Sequence, residues 1–323
     1  MAAEAVVQAL SPLVSATRWQ KLLAAVGQRS GRVHLGFENV WKNNNTAAAL
    51  RTAECAGIQN VHLIQGQLPN KQRVSRSLSK GSERWLDIRY HADTPSFFRA
   101  LRGGTEKQLG GHTAAAAGAQ TSMAILGADA DPTATTIDNI DFSVFKGGVC
   151  VVFGNEQGGV SDTLKRRCDG LFFLPSVGLT QSYNISAACA MTVYHLRDRG
   201  VARPDLTAEE QTAVLARWLL RTVPKAGDIL RHLHTRTPAH GGATTAEVTE
   251  AGHRLEQQTD REKSIMRHLH TRIATPGGAV EQARRLANID PEEVEWLIEQ
   301  ASNRRTPYPV RGNAADDTIP EPR

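Results

Sequence analysis

Cysteines, aromatic residues and long apolar runs are all scarce in this sequence of 323 residues. The four cysteines, at positions 55, 150, 168 and 189, lie far apart and form no C-x-x-C pair. This spacing indicates neither a disulfide framework nor a zinc site, so we expect reduced cysteines and no metal. No apolar run approaches the roughly 20 residues that a bilayer-spanning helix requires, and we therefore expect no membrane segment.

The signatures of the commonest nucleotide-binding folds are also missing. No G-x-G-x-x-G follows an apolar run, and no glycine-rich loop ends in Gly-Lys-Ser or Gly-Lys-Thr. These absences argue against a Rossmann-type methyltransferase, a nicotinamide enzyme and an NTPase. Residues 1–14 lack the basic start of a secretory signal and the arginines of a transit peptide. We expect a cytoplasmic protein and leave an organelle open.

Basic residues are in modest excess. The chain has 38 Lys and Arg against 33 Asp and Glu, which gives a formal net charge of +5. This balance suits a polyanionic partner such as nucleic acid, but it is common enough to carry only a small weight.

Short apolar runs alternate with helical segments between residues 33 and 197. The candidate strands are 33–37, 61–64, 86–90, 122–126, 149–153 and 171–174. The candidate helices between and after them are 47–56, 95–102 and 185–197. This alternation predicts an α/β fold with a mostly parallel sheet covered on both faces. A Gly/Ala/Thr-rich stretch at about 103–120 resembles a flexible insertion.

Helical segments flank this region on both sides. The sequence predicts two short helices before the α/β region, at residues 3–15 and 18–28. After residue 206, helix-start signals occur at 207–210, 244–247 and 290–291. The sequence RHLHTR at 231–236 recurs at 267–272, which we interpret as a duplicated helical unit, because histidines two positions apart on a helix face different directions and suit zinc poorly.

Three blocks couple an apolar run to a loop rich in Gly, Asn and Ser and then to a helix of small residues. They are NVWKNNN at 39–45 with AAALRT at 47–52, VVFGNEQGGVS at 151–161, and LPSVGLTQSYNIS at 174–186. Such loops bring backbone N–H and C=O groups, rather than long side chains, against a ligand.

All three blocks in this order resemble the motifs of the SPOUT methyltransferases, specifically the SpoU/TrmH branch that methylates ribose 2′-hydroxyls of tRNA or rRNA. The resemblance implies an α/β knot, in which the C-terminal helix threads a loop to form a deep trefoil. It also implies a domain plan of a helical lead-in at 1–30, a methyltransferase domain at 31–202, a helical C-terminal extension at 203–311 and a disordered tail at 312–323.

The resemblance assigns five catalytic residues: Arg51, Asn45, Glu156, Ser182 and Asn184. The family arginine is proposed to act as a base, but a guanidinium stays protonated, so phosphate anchoring and positioning of the hydroxyl is the safer role on physical grounds. The asparagine is expected to cap its helix and hold the arginine or the nucleotide. The glutamate is expected to support the site and orient the arginine. The last two are expected to touch substrate and to cap the helix that follows.

The resemblance also implies S-adenosyl-L-methionine as cofactor, in a bend made by the second and third blocks. Its contacts would be Gly127, Gly154, Leu174, Val177, Leu179 and Tyr183. The family usually has leucine where Tyr183 stands. Basic residues flanking the core are expected to follow RNA phosphates. They are Arg18, Lys21, Arg29, Arg32, Lys165, Arg166 and Arg167.

Further similarity at residues 18–29, 79–85 and 304–309 favours the tRNA enzymes that methylate a D-loop guanosine, and family members form homodimers. We therefore expect a homodimeric tRNA ribose 2′-O-methyltransferase. Two alternatives stay open: the same chemistry on rRNA, with an organelle as one setting, and a non-catalytic RNA-binding assembly factor with this fold.

Overall fold

The computed structural model describes residues 2–40, 43–66, 79–102, 123–131, 134–180 and 182–235, together with residues 292, 295, 296, 298 and 299. The predicted insertion at 103–120, the second capping box, the second RHLHTR copy and the tail lie outside these residues. No helix in the described part of the chain is long and apolar enough to cross a membrane.

Within the described residues, seven strands form one sheet in which every pairing is parallel. The strands are β1 Ser30–Glu38, β2 Ile58–Ile64, β3 Asp87–His91, β4 Ala124–Ala128, β5 Thr135–Thr136, β6 Val149–Phe153 and β7 Gly170–Phe173. Their order across the sheet is β3-β2-β1-β6-β4-β7-β5. The predicted parallel α/β sheet is confirmed.

Eight helices accompany the strands within the described residues. They are α1 Ala2–Leu10, α2 Ala16–Val26, α3 Asn43–Cys55, α4 Thr94–Arg102, α5 Asp162–Arg167, α6 Ile185–Asp198, α7 Ala208–Thr222 and α8 Ala226–Thr235. Helix α7 begins with the predicted capping box, in which the Thr207 hydroxyl and the Glu210 carboxylate each accept a hydrogen bond from the other residue's backbone N–H.

Both faces of the sheet are covered by apolar side chains. In β6, Val151 and Phe153 join one buried cluster, whereas Cys150 and Val152 join a second cluster with Phe97 of α4. Two covered faces explain why this strand is apolar at every position rather than at alternate ones.

Contacts divide the chain into two compact units. Helices α1, α2, α7 and α8 belong to one unit, and residues Ser30–Arg203 form the other. The N-terminal helices and the C-terminal extension, predicted as separate segments, are in contact, because α1 and α2 pack against α7. The Arg29 guanidinium also lies over the Trp218 ring of α7, 4.9 Å from its centroid.

The three sequence blocks meet at the carboxyl edge of the sheet. Strands β1 and β6 are neighbours, and β4 separates β6 from β7. Because all of these strands are parallel, the loops that follow β1, β6 and β7 emerge at the same edge, which is where open α/β sheets bind ligands.

Candidate active site

A chain of hydrogen bonds joins the three blocks at this edge. The Asn45 amide nitrogen of α3 donates to Glu156 Oε1 at 2.6 Å, and the Asn45 amide oxygen accepts from Asn184 Nδ2 at 3.0 Å. Asn45 is 9 % exposed, so its amide is held away from bulk water. Three of the five predicted catalytic residues are therefore in direct contact, each from a different loop or helix.

Asn184 has a second role as the N-cap of α6. Its side-chain oxygen accepts from the Ser186 backbone N–H at 2.9 Å and from the Ser186 hydroxyl at 2.6 Å. One amide thus both begins the helix and reaches back to Asn45, as the sequence predicts for a capping residue that also serves the site. Ser182 is exposed and stands outside this chain of bonds.

Arg51 lies on a different side of α3 from Asn45. Six residues turn an α-helix through about 600°, so the two side chains point about 120° apart. Arg51 is exposed, and Glu156 is bonded to Asn45. No hydrogen bond or ion pair joins Glu156 to Arg51 among the described residues, so the predicted orientation of Arg51 by Glu156 stays a prediction. Asn45 is the third residue of α3 and therefore does not cap this helix.

The loop after β6 is closed by its own backbone. Asn155 and Gly159 exchange two hydrogen bonds, of 3.0 and 3.1 Å. The Asn155 side-chain oxygen also accepts from the backbone N–H groups of Gln157 and Gly158. A Cβ on Gly154 would stand 1.9 Å from the carbonyl carbon of Gly159, so only glycine allows this closure.

The six predicted cofactor residues differ in what surrounds them. Gly127 is closely packed, because a Cβ there would lie 2.8 Å from Leu171 Cδ2, and that side chain would have to shift. Leu174 packs against the core. Val177 and Leu179 are fully exposed, and the Tyr183 hydroxyl donates to the Pro175 carbonyl at 3.1 Å. The part of the chain after β7 thus presents two exposed apolar side chains, which are available to a ligand.

The predicted RNA-contacting residues fall into three groups. Arg18, Lys21 and Arg166 are exposed. The second group is held by the chain itself: Arg32 donates to the Phe145 carbonyl at 3.0 Å, Lys165 pairs with Asp129 at 2.7 Å, and Arg167 lies over the Phe98 ring. The hydrogen bond that the Lys165 ammonium donates to the Asp129 carboxylate raises the pKa of Lys165.

The prediction for Arg29 is wrong. Its side chain is buried, with 3 % of its surface exposed, because the guanidinium packs over the Trp218 ring. A buried guanidinium cannot contact a phosphate at the protein surface.

Three buried histidines form a feature that the sequence analysis missed. His34 Nδ1 lies 3.0 Å from His62 Nε2, and His62 Nδ1 lies 2.9 Å from His91 Nε2, so the rings link β1, β2 and β3. His34 Nε2 donates to the Gly31 carbonyl, which makes its Nδ1 an acceptor and assigns the Nε2–H tautomer to all three rings. Burial lowers the pKa of His34 to about 3 and of His91 to about 4, and it lowers the pKa of His62 well below its usual value. The only sequence signal is one histidine in each of three strands, which says nothing about their contact.

Glu38 was missed as well. This glutamate ends β1 and is 1 % exposed, with its carboxylate bonded to Ser161 and Thr94. A single acid closing an apolar strand was its only signal. Among the described residues no cluster of His, Cys, Asp or Glu could hold a metal ion, and metal ligation is not part of the arrangement found.

Comparison with known proteins gives the family. The model of the SpoU rRNA Methylase family matches residues 32–194, half of the chain. The tRNA (guanosine(18)-2′-O)-methyltransferase of Thermus thermophilus is 30 % identical over 190 residues, which cover 57 % of this chain and 86 % of that protein. The enzyme of the same name from Escherichia coli is 24 % identical over 178 residues, covering 55 % and 68 %.

The fold has a solved counterpart. The TrmH/SpoU tRNA modifying enzyme of A. aeolicus superposes with a TM-score of 0.52 at 21 % identity, over 65 % of this chain and 98 % of that one. This likeness shows the fold, and the match of the family model over half of the chain shows that the chain belongs to the SpoU rRNA Methylase family.

Proposed function

We propose that this protein transfers the methyl group of S-adenosylmethionine to a ribose 2′-hydroxyl of tRNA, at a guanosine of the D-loop. The observation that carries the proposal is the bonded chain from Glu156 through Asn45 to Asn184. It joins the three motifs of a methylase family at one edge of the sheet. The relatives named for tRNA guanosine methylation support the choice of substrate.

The cofactor would be held by the loops after β4, β6 and β7, and it supplies an electrophilic methyl group. The residues that would hold it are Gly127, Gly154, Leu174, Val177, Leu179 and Tyr183. Val177 and Leu179 offer fully exposed apolar surface, while the hydrogen bond from Tyr183 to Pro175 closes the loop that carries them. Most of the polar contacts in such a loop come from the backbone.

The acceptor site must position a weakly acidic hydroxyl beside the methyl group. Arg51 is exposed and its guanidinium stays protonated, which suits it to bind the RNA phosphate and orient the hydroxyl. Asn45, Glu156 and Asn184 would form the bonded part of the acceptor site. Because Arg51 points about 120° away from Asn45 on α3, it would serve the site of the other chain in the proposed homodimer. Ser182, exposed just before Asn184, would contact the nucleotide.

The architecture of the family supports three further parts of the proposal. Helix α6 would pass through a loop of the chain to form the trefoil knot. Residues 31–202 would be the catalytic domain, with residues 203–311 as a helical C-terminal extension. Two chains would form a homodimer through α6, on which Met191 and Tyr194 are exposed beside a groove of about 500 Å³.

Labelled methyl transfer onto separated tRNA and rRNA fractions tests the proposed activity, with Arg51→Ala assayed beside the parent. We expect label in tRNA from the parent and a loss of nearly all label with Arg51→Ala, because the phosphate and hydroxyl lose their anchor. Calorimetry should show cofactor binding little changed, because other loops hold the cofactor.

The remaining outcomes are equally informative. Label confined to rRNA would replace the proposed substrate with ribosomal RNA. Absence of both label and cofactor binding would contradict enzymatic activity and leave an RNA-binding scaffold. Turnover by Arg51→Ala close to that of the parent would show that Arg51 does not serve the acceptor site.

A further inference from the structure

The Glu38 carboxylate is buried at the same edge of the sheet as the candidate site. Its Oε2 accepts from the Ser161 backbone N–H at 2.7 Å, and its Oε1 accepts from the Ser161 hydroxyl at 2.7 Å and from the Thr94 hydroxyl. No lysine or arginine of the described residues forms an ion pair with it. The buried carboxylate is therefore held by hydrogen-bond donors alone, which come from Ser161 and Thr94.

These donors belong to the starts of two helices. Ser161 is the N-cap of α5, where its hydroxyl also accepts from the Leu164 N–H at 3.2 Å, and Thr94 is the first residue of α4. A helix N-terminus favours a nearby negative charge. The carboxylate of Glu38 therefore holds Ser161 by two hydrogen bonds at the start of α5.

Ser161 ends the loop that carries Glu156. At its beginning this loop is fixed by the close approach of Gly154 to Gly159 and by the paired bonds of Asn155. At its end it is fixed by the bonds from Ser161 to Glu38. Glu156 lies between these two fixed points and reaches Asn45 at 2.6 Å.

We propose that Glu38 is a positioning residue for the acceptor site: its carboxylate fixes the end of the 154–161 loop and thereby holds Glu156 against Asn45. This role rests on the proposed function, since the site it serves is the ribose-methylating one. It is not a catalytic role, because Glu38 is buried and bonded within the protein.

Hydrogen exchange tests the positioning without any use of activity. We expect Glu38→Ala to accelerate amide exchange in the peptide spanning residues 154–161. Glu38→Gln should largely preserve protection, because its amide oxygen can accept from the Ser161 N–H while its NH₂ donates to the two hydroxyls. Unchanged protection of this peptide in Glu38→Ala would overturn the proposal, whatever the protein methylates.

A double-mutant cycle tests the path through Glu156. Because small displacements of a catalytic group cost about 10²-fold in rate, we expect Glu38→Ala to lower kcat by about that factor. In a Glu156→Ala background the same change should have little further effect, because the group that Glu38 positions is gone. Losses that simply multiply would show that Glu38 does not act through Glu156.

Matched cap variants separate positioning from general stability. Ser161→Ala and Thr207→Ala each remove an N-cap bond of 3.2 Å, from α5 and from α7. We expect only Ser161→Ala to lower kcat, and equal losses from both would contradict the proposal. Ser161→Ala also keeps the test available if Glu38→Ala fails to fold. A parent protein that methylates no RNA would refute the proposed function alone, because hydrogen exchange still decides the role of Glu38.

Discussion

Asn45 uses both ends of its amide to join parts of the chain that are distant in sequence. Glu156 is 111 residues away and Asn184 is 139 residues away, yet one side chain bonds to both. The amide can do this because it carries a donor and an acceptor, whereas a carboxylate of the same shape has only acceptors. Position 45 therefore requires a side chain that both donates and accepts a hydrogen bond, which asparagine does and aspartate does not.

Asn45→Asp should cut methyl transfer sharply, because it places a carboxylate 2.6 Å from the Glu156 carboxylate. A hydrogen bond to a charged group is worth about 1.5–3 kcal/mol, so the loss in kcat should be about 10- to 100-fold. Steady-state kinetics on the RNA substrate would measure it. Asn139→Asp, the same change at an exposed position, is the matched control and should retain the parental kcat. Equal rates for the parent and Asn45→Asp would remove Asn45 from the site.

The identities of the site residues could be predicted from sequence far better than their contacts. The resemblance to the family motifs selects Asn45, Glu156 and Asn184, and the structure joins them. The sequence does not indicate whether Glu156 contacts Asn45 or Arg51. The answer depends on the directions in which the side chains of Asn45 and Arg51 leave α3. Glu38 lies just before the first block and has no pattern of its own, since its partners Ser161 and Thr94 are brought near only by the sheet.

At the scale of elements, apolar runs identify strands but not their neighbours. The run at 149–153 matches β6 to the residue, and the predicted helix at 185–197 matches α6 within one residue. The sequence does not indicate that β6 lies between β1 and β4, because parallel pairing is set by distant crossovers. Helix α5 and strand β5 were missed because six and two residues are too few to show a period.

The chain of histidines across β1, β2 and β3 should make the fold sensitive to acid. The folded-state pKa values of His34 and His91 are about 3 and about 4, below the usual 6.5, so the unfolded chain binds protons first as the pH falls. The contribution of the neutral histidines to the free energy of unfolding is therefore fully present above pH 6.5. It declines as the pH falls from there toward the folded-state pKa values. Each imidazole contributes a slope of about 1.4 kcal/mol per pH unit.

Replacing the central ring tests this dependence. His62→Gln removes one titrating group, so urea unfolding at pH 7.5, 6 and 5 should show a smaller loss of stability on acidification than in the parent. The difference in slope should be small above pH 6.5 and approach about 1.4 kcal/mol per pH unit toward pH 5. The variant should also start less stable at pH 7.5, because the amide replaces a ring that is in edge contact with Phe97. Identical slopes in the two proteins would show that the buried histidines do not control the acid response.

At the scale of the whole molecule, the net charge of +5 conceals how differently the basic residues are used. Arg32, Lys165 and Arg167 are engaged within the protein, by a carbonyl, a carboxylate and an aromatic ring. Arg18, Lys21 and Arg166 are exposed. Counting Lys and Arg therefore overstates the charge available to RNA, and the exposed side chains are the ones that should release counterions on binding.

The salt dependence of RNA affinity distinguishes the two kinds of arginine. Arg166→Ala should weaken binding and reduce the slope of log affinity against log salt by about 1, because each phosphate contact contributes roughly that amount.

Arg29→Gln is the control. It removes the same charge from the sequence, but the guanidinium of Arg29 lies buried over Trp218. It should lower the melting temperature and leave the salt slope at the parental value. Titrations at several salt concentrations, with melting curves for both variants, measure the two effects. A slope reduced by Arg29→Gln but not by Arg166→Ala would mean that exposure in the free protein does not identify the RNA-binding surface.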